Sequence, residues 1–373
     1  MNSSTNYAES VHILGVGNVG RLFAHAIANV PHPPQVTLLL HRESLLDDWE
    51  KANQTISLTT GNTISASGEY KVEVLSPSTT DIISNLIVAT KATRTASALS
   101  AVKHRLNPQS TILLTQNGMG IFPTSKEPTK NPKYHLQDTG TFIEAINTHG
   151  IFSNGPFSSI LAGRAELTLS SSTGLNETNS ALTNLLTSST ILNADTIPYP
   201  EFRLRKLEKL VVNACINPLT AIFACKNGEL FTQPPIVQLM RLLLSEISQL
   251  LQNLPEIRAL DPSEDLDVPT RFSIEELELK VLAVADKTAA NTSSMLQDVR
   301  ANRETEIEYI TGYLLKRGRE CGVDMHFNAQ VYDMVQAGRT LKAEDVVHEF
   351  GMGEGYLGAL FDPMGWVYSR NSG

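Results

Sequence analysis

Hydrophobic positions along the chain follow two different rhythms, and the change falls near Pro198-Tyr199-Pro200. Before it, short apolar runs recur between turn-forming stretches: Val11 to Leu14, Gln35 to Leu40, Leu86 to Thr90, Thr111 to Thr115, Phe142 to Asn147 and Glu166 to Leu169. Runs this short, bounded by Gly, Pro, Asn and Ser, predict buried strands. Residues 45–80 are mixed, with an alternation at Thr55-Ile56-Ser57-Leu58 that reads as short strands. After the change, apolar residues recur at helical spacing, predicting helices over 203–225, 235–252 and 274–287. Pro255 to Arg271, rich in Pro, Asp and Glu, reads as a solvated connector. Residues 324–373 add one helix and a Gly-rich end with Trp366, to which no role attaches. An α/β domain over residues 1–198 followed by an all-α domain over 199–373 is the expected organisation.

One stretch of the second half stands apart. Lys209 to Leu230 is apolar on nearly every side of a helix, through Leu210, Val211, Val212, Ala214, Cys215, Ile216 and Leu219. Such a helix is normally buried. Lys209, Asn213 and Asn217 interrupt it at i, i+4 and i+8 and therefore share one face. Buried polar groups must find partners. Either neighbouring helices supply them, or the stripe faces an opening where a polar substrate does. Asn is a mediocre helix former, which favours the second reading. Asn217-Pro218 predicts a kink there, because proline disfavours helical geometry in the preceding residue.

The first strand runs directly into Gly15-Val16-Gly17-Asn18-Val19-Gly20, followed by Leu22, Phe23, Ala26 and Ile27 at helical spacing. G-x-G-x-x-G between a strand and a helix is a dinucleotide-binding loop of the Rossmann type. The glycines serve a tight turn, the approach of a pyrophosphate and close helix packing. The second strand ends in His41-Arg42, with Glu43 only afterwards. A basic pair where NAD sites place an acid suits a 2′-phosphate, so NADPH is expected over NADH. Lys91 and Asn117 follow later strands, at the carboxyl ends where open parallel sheets bind ligands. His149, at another strand end, reads as a structural residue sooner than as an acid.

Composition narrows the class. With 41% hydrophobic and 18% charged residues the chain is globular, and a formal charge of −9 argues against nucleic acid or an anionic membrane as partner. No run is long and apolar enough to span a bilayer. The first eleven residues carry no Lys or Arg, so no signal or transit peptide is visible. Cys215, Cys225 and Cys321 lack C-x-x-C spacing and suit a reducing, cytoplasmic setting. No cluster with metal-ligand spacing is present.

Taken in order, GVGNVG, LIVATKA, LLTQNGMG, KLVVNACINPLTAIFACKNGEL and NTSSMLQDVRANRETEIEYITGY resemble the ketopantoate reductase (2-dehydropantoate 2-reductase) family over roughly two-thirds of the chain. The later motifs are far more specific than the glycine loop. The resemblance implies a Rossmann domain, a helical domain like the C-terminal domain of 6-phosphogluconate dehydrogenase, a cleft between them, and NADPH as hydride donor. It implies Lys209 as catalytic lysine and Glu306 as essential glutamate. Asn213, Asn217, Asn227, Asn291 and Ser294 match the family's substrate-site positions, Asn117 the asparagine near the nicotinamide, and Lys91 a lysine on the cofactor side. The implied reaction reduces 2-dehydropantoate to (R)-pantoate, in a protein that can be a homodimer. Departures are a longer 250–275 region and tail, as in longer fungal-type members, and Leu207 where many members carry Trp. Two other readings stand beside it. One is a same-fold reductase of another 2-oxo or β-hydroxy acid. The other is a non-catalytic dinucleotide sensor, which could discard Lys209 and Glu306.

Overall fold

The computed structural model describes residues 8–121, 140–171, 180–260 and 266–352. Trp366 and the Gly-rich end lie outside them. Two compact units emerge, one of Met1–Asn117 with Ile121–Arg203, the other of Gly118–Gly120 with Leu204–Gly373.

The first unit opens with β1 (Ser10–Leu14), α1 (Asn18–Ala28), β2 (Gln35–Leu40) and α2 (Ser44–Lys51). There follow β3 (Ile56–Thr60), β4 (Thr63–Ser67), β5 (Lys71–Val74), β6 (Asn85–Val88), α3 (Ala92–Val102) and β7 (Thr111–Leu114). The unit closes with β8 (Thr141–Asn147), β9 (Gly150–Ser153), β10 (Ser158–Gly163), β11 (Leu167–Ser170), α4 (Ala181–Thr187) and β12 (Ala194–Thr196). Eight strands form one sheet in the order β12-β11-β8-β7-β6-β1-β2-β5. All pairs in it are parallel except β8 with β11. Strand order reverses at β1, which lies between β2 and β6, and this is where a doubly wound sheet opens its binding crevice. Both faces are covered: Ile13, Leu38, Leu40, Ile87 and Leu113 join one core, Leu14, Leu39, Leu86, Val88 and Ile112 the other. Strands buried on two sides read as unbroken apolar runs, which explains why these were legible.

A second sheet, in the order β4-β3-β10-β9, goes beyond the short strands expected near residue 56. It contacts α1 on β3, β4, β9 and β10, while α1 also contacts β1 and β2. Held between two sheets, α1 buries Leu22, Phe23, Ala24, His25, Ala26 and Ile27, apolar on nearly all sides as a sandwiched helix must be.

The second unit is helical. Helix α5 (Tyr199–Phe223) is followed by the turn α6 (Asn227–Leu230), then α7 (Pro234–Asn253), α8 (Ile274–Lys287), α9 (Ser294–Arg300), α10 (Tyr313–Cys321) and α11 (His326–Gln336). Helix α7 packs against α8, α10 and α11. Leu239, Met240, Leu243, Leu244, Ile247, Leu250 and Leu251 from it enter a core shared with Leu210, Val211, Ala214, Cys215 and Leu219 of α5. Arg241 pairs with Glu278 at 2.8 Å, and Glu208 is held by Arg271 and Lys280. Some expectations need correcting. Helix α5 begins four residues earlier than the pattern suggested, since Pro200 falls in the first turn where no N–H is needed. It also runs through Pro218 without a break. The connector contains helical turns at Pro255–Arg258 and Val268–Arg271, with Ile257 buried. The last region adds a further turn, Val346–Glu349.

One buried charge pair anchors the sheet's far edge. Arg105 is 2% exposed, donates from Nε to the Asp81 carbonyl at 2.8 Å and forks onto both carboxylate oxygens of Glu73 on β5. Removing the carboxylate leaves a desolvated guanidinium only partly satisfied. Glu73→Ala is expected to lower unfolding stability by about 2–3 kcal/mol, measured by urea titration. A change below about 0.5 kcal/mol would show that the pair contributes nothing.

Candidate active site

The glycine loop has the shape its sequence demands. Gly15 adopts φ +100°, and a Cβ there would stand 2.7 Å from the Thr90 nitrogen. At Gly20 a Cβ would fall 2.0 Å from the Gly15 carbonyl oxygen. Gly17 is exposed, and a Cβ on it would meet nothing within 4 Å. Two glycines are thus used up by the fold, while the middle one leaves backbone open at the start of α1. This fits a dinucleotide pyrophosphate resting on a helix N-terminus. Asn18 accepts a hydrogen bond from the Ser159 hydroxyl at 3.1 Å, and Val19 is half-buried against the core. Arg21 donates to the carbonyls of Val16, Gly155 and Ser158, tying the loop to the second sheet. Sequence reasoning missed this arginine, whose partners lie far along the chain.

Beyond β2, His41 and Arg42 are both exposed. Partial burial, and then the Arg42 charge, lower the His41 pKa, so the imidazole is neutral at neutral pH. The lasting positive charge at this strand end is Arg42. Lys91, half-buried, occupies the N-cap of α3 beyond β6, and Asn117 is half-buried beyond β7. His149 is buried and hydrogen-bonds Asn147 Oδ1 through Nδ1 at 2.8 Å, the arrangement of a structural histidine.

In the second unit Lys209, Asn213 and Asn217 lie in one stripe on α5. Lys209 and Asn213 are half-buried; Asn217 is buried. Helix α5 carries Pro218 in its interior, and hydroxyls cluster just beyond it. Thr220 Oγ1 bonds the Asn217 carbonyl at 2.8 Å and Ser293 Oγ at 2.6 Å. Ser293 in turn caps α9 by accepting from Leu296 N–H at 3.1 Å. The two serines therefore divide their work. Ser293 is buried in the cap, and Ser294, at the first helical position, is exposed. Thr220 and Ser293 join α5 to the segment carrying Asn291 and Ser294, a link the pattern alone did not reveal. Asn227 is buried, donates from Nδ2 to the Thr288 hydroxyl at 2.9 Å, and gives its N–H to the Asn291 carbonyl at 3.1 Å.

Glu306 stands just ahead of a π-helical turn, Glu308–Gly312. That turn replaces the regular helix on which Glu306, Tyr309 and Tyr313 would share a face. Glu308 accepts from the Tyr332 hydroxyl at 2.6 Å. The Tyr309 carbonyl accepts from Met119 N–H at 2.8 Å, and a Cβ on Gly118 would come within 2.3 Å of that oxygen. Gly118, at φ +81°, is therefore required for one backbone to approach another. π turns recur at functional sites, and Glu306, whose charge bears on Lys209, stands just ahead of this one.

The electrostatics converge on Lys209. Although the residue keeps some solvent contact, desolvation of its ammonium is the main cause of a pKa lowered to about 8. The Glu306 carboxylate opposes that shift and Lys206 adds to it. An ammonium with such a pKa can give up a proton near neutral pH, as a general acid must.

Two family models match the chain: ketopantoate reductase PanE/ApbA over residues 11–174, and the C-terminal part of the same family over residues 201–339. A probable 2-dehydropantoate 2-reductase of Schizosaccharomyces pombe is 30% identical over 334 residues, covering 86% of this chain and 93% of that protein. The chain belongs to the ketopantoate reductase family. It is accordingly an oxidoreductase. A ketoisovalerate reductase of Gibberella fujikuroi is 29% identical over 357 residues, covering 84% of this chain and 79% of its own. Among solved structures, a probable 2-dehydropantoate 2-reductase of Bacillus subtilis superposes with a TM-score of 0.66 at 26% identity, covering 88% and 100%. A family member's helical half and its α/β half are thus both represented here.

The Lys209 pKa has a consequence for stability whose sign is fixed. The folded value lies below the ordinary lysine value of 10.5, so holding the ammonium opposes folding. That cost is full below about pH 8 and fades as pH rises toward the unfolded value. Lys209→Met is therefore expected to raise Tm at pH 7 and to lose that advantage by about pH 10. Thermal melts across this range test it; a Tm that falls at pH 7 would contradict a desolvated ammonium.

Proposed function

We propose that this protein uses NADPH to reduce a branched 2-oxo acid, with 2-dehydropantoate as substrate and (R)-pantoate as product, in the synthesis of pantothenate and coenzyme A. The observation that carries the reading is the partly desolvated Lys209 ammonium beside Glu306, at the head of a carboxamide stripe. NADPH, when bound, supplies the hydride. As charge develops on the ketone oxygen, the Lys209 ammonium hydrogen-bonds it and delivers the proton. Glu306 keeps that ammonium charged and directed. Asn213, Asn217, Asn291 and the exposed Ser294 hydroxyl fix the substrate's carboxylate and hydroxyl. Asn227 has its amide committed to Thr288 and shapes the Asn291 loop. On the cofactor side Gly15, Gly17, Asn18, Val19 and Gly20 form the pyrophosphate cradle, Arg42 with His41 receives the 2′-phosphate, and Lys91 and Asn117 flank the rest. A cytoplasmic enzyme, with no helix among the described residues long and apolar enough to cross a membrane, fits three unpaired cysteines. A homodimer is the expected assembly; a ketopantoate reductase of Staphylococcus aureus with the same fold is dimeric.

A second reading has its own support, because fungal relatives at similar identity are ketoisovalerate reductases. Ketoisovalerate lacks the terminal hydroxymethyl group of ketopantoate. A site that hydrogen-bonds this hydroxyl rejects the smaller acid by orders of magnitude, whereas an apolar one hardly discriminates. Purified protein should oxidise NADPH with ketopantoate at a kcat/KM at least tenfold above that with ketoisovalerate. The reverse ratio selects the second reading, and no turnover with any 2-oxo acid removes both. Lys209→Ala should lower kcat by two or more orders of magnitude and leave NADPH binding intact. A fully active variant would sink the proposed role.

Cofactor choice is tested separately. Arg42→Ala should raise KM for NADPH well above any change for NADH, with the difference shrinking as salt is raised. Equal weakening of the two cofactors would detach Arg42 from the 2′-phosphate.

A further inference from the structure

One residue, Arg21, grips the open part of the glycine loop. Its Nε donates to the Val16 carbonyl at 3.1 Å, and its own N–H donates to the Gly17 carbonyl at 2.9 Å. The peptides on either side of Gly17 are thus both tied to Arg21. A trans peptide is planar, with its carbonyl and N–H pointing opposite ways. Fixing the Val16 carbonyl therefore fixes the direction of the Gly17 N–H, away from the guanidinium. Gly17 is the N-cap of α1 and the glycine whose backbone is left open. A basic residue this close to a helix N-terminus works against the macrodipole, so Arg21 is not placed there for the sake of the helix.

We propose that Arg21 is a positioning residue for the dinucleotide: through the Val16–Gly17 peptide it holds the Gly17 N–H aimed at the pyrophosphate. The inference rests on the dinucleotide reading of the glycine loop and deepens it, giving a role to a residue outside the G-x-G-x-x-G pattern.

A guanidinium can hold a peptide in place only if it is itself held. Nη1 of Arg21 donates to the carbonyls of Gly155 and Ser158 at 3.0 and 3.1 Å, in the turn between β9 and β10. The same group lies 5.4 Å from the centre of the Phe157 ring, within cation–π range. Phe157 is buried, and its ring meets Trp49 edge to face at 4.8 Å. Its φ is +49°, a conformation that costs free energy in a non-glycine residue and persists only where the surroundings impose it. With Gly155 at φ +120° as well, the two carbonyls converge on a single nitrogen. Strand β10 adds a second tie to the loop, since the Ser159 hydroxyl donates to Asn18 Oδ1 at 3.1 Å. The rigid fork of a guanidinium can bridge Val16 to this turn, which a point-like ammonium cannot do.

Fluorescence titration of the full-length protein without substrate reads dinucleotide affinity apart from turnover. Arg21→Met should weaken NADPH and NADH alike, by about tenfold or more, the worth of a hydrogen bond to a charged phosphate. 2′-AMP, which has no pyrophosphate, should bind the variant and the parent equally in calorimetry. Arg21→Lys keeps the charge but not the fork, so it should be as weak as Arg21→Met, with the same loss at low and high salt. In turnover, KM for the cofactor should rise while kcat and the KM for the 2-oxo acid hold. Gly155→Ala gives a second handle should Arg21→Met fold poorly, because its turn is exposed and nothing lies near the added Cβ. The strained φ should shift the turn and weaken both dinucleotides several-fold. Unchanged affinity in the folded variants overturns the proposal, even where the melting temperature falls. So does full recovery in Arg21→Lys with a loss that fades in salt, which would make Arg21 a direct phosphate contact. An equal loss of 2′-AMP binding overturns it too, as general damage to the unit. A parent protein that binds neither dinucleotide removes the reading of the glycine loop, and the proposal with it.

Discussion

Keeping a lysine ammonium partly out of water is the constraint around which the helical unit is arranged. From Leu210 onward helix α5 sinks into the core through Leu210, Val211, Ala214, Cys215 and Leu219, so its polar stripe is fixed in direction. The ammonium is then only partly solvated. Glu306 holds it, and Lys206 works against that hold. Most proteins avoid such an arrangement because it opposes folding. Its survival here is understandable if the site must meet a developing negative charge that water would otherwise screen.

The parts that support Glu306 come from distant stretches. The acid stands ahead of a π turn, whose widened geometry turns the Tyr309 carbonyl outward to Met119. At the other end of the stripe, Thr220 and Ser293 satisfy each other and the backbone near Pro218. Both are cases of buried polar groups finding partners, which stiffens the frame around Lys209. Stiffness is useful here, since proton transfer is sensitive to small misplacement.

Much of this was readable from the chain. The parallel strands declared themselves because two covered faces leave no room for polar positions, and the glycine loop because two of its glycines are sterically obligatory. The second sheet was only partly legible. All but one residue of β4 are exposed and β9 is half exposed, so neither carries an apolar pattern. Pro218 looked like a break, yet α5 continues through it. Of the serine pair, pattern gave the stretch but not which hydroxyl is spent on the cap. The π turn was invisible, and the Tyr309 carbonyl within it meets a backbone N–H from Met119, far earlier in sequence.

The three residues Gly118–Gly120 carry an implication for modularity. They belong structurally with the helices, although the chain on either side of them belongs with the sheets. The helical unit is therefore discontinuous in sequence, and a gene fragment beginning near Leu204 does not encode all of it. Such a fragment would leave the Tyr309 carbonyl without its Met119 partner, at the turn that leads out of Glu306. Exchanging helical halves between relatives to transplant substrate preference would require the short glycine-rich segment to travel with them. Recombination that cuts only at the obvious boundary would separate two strands of one lock.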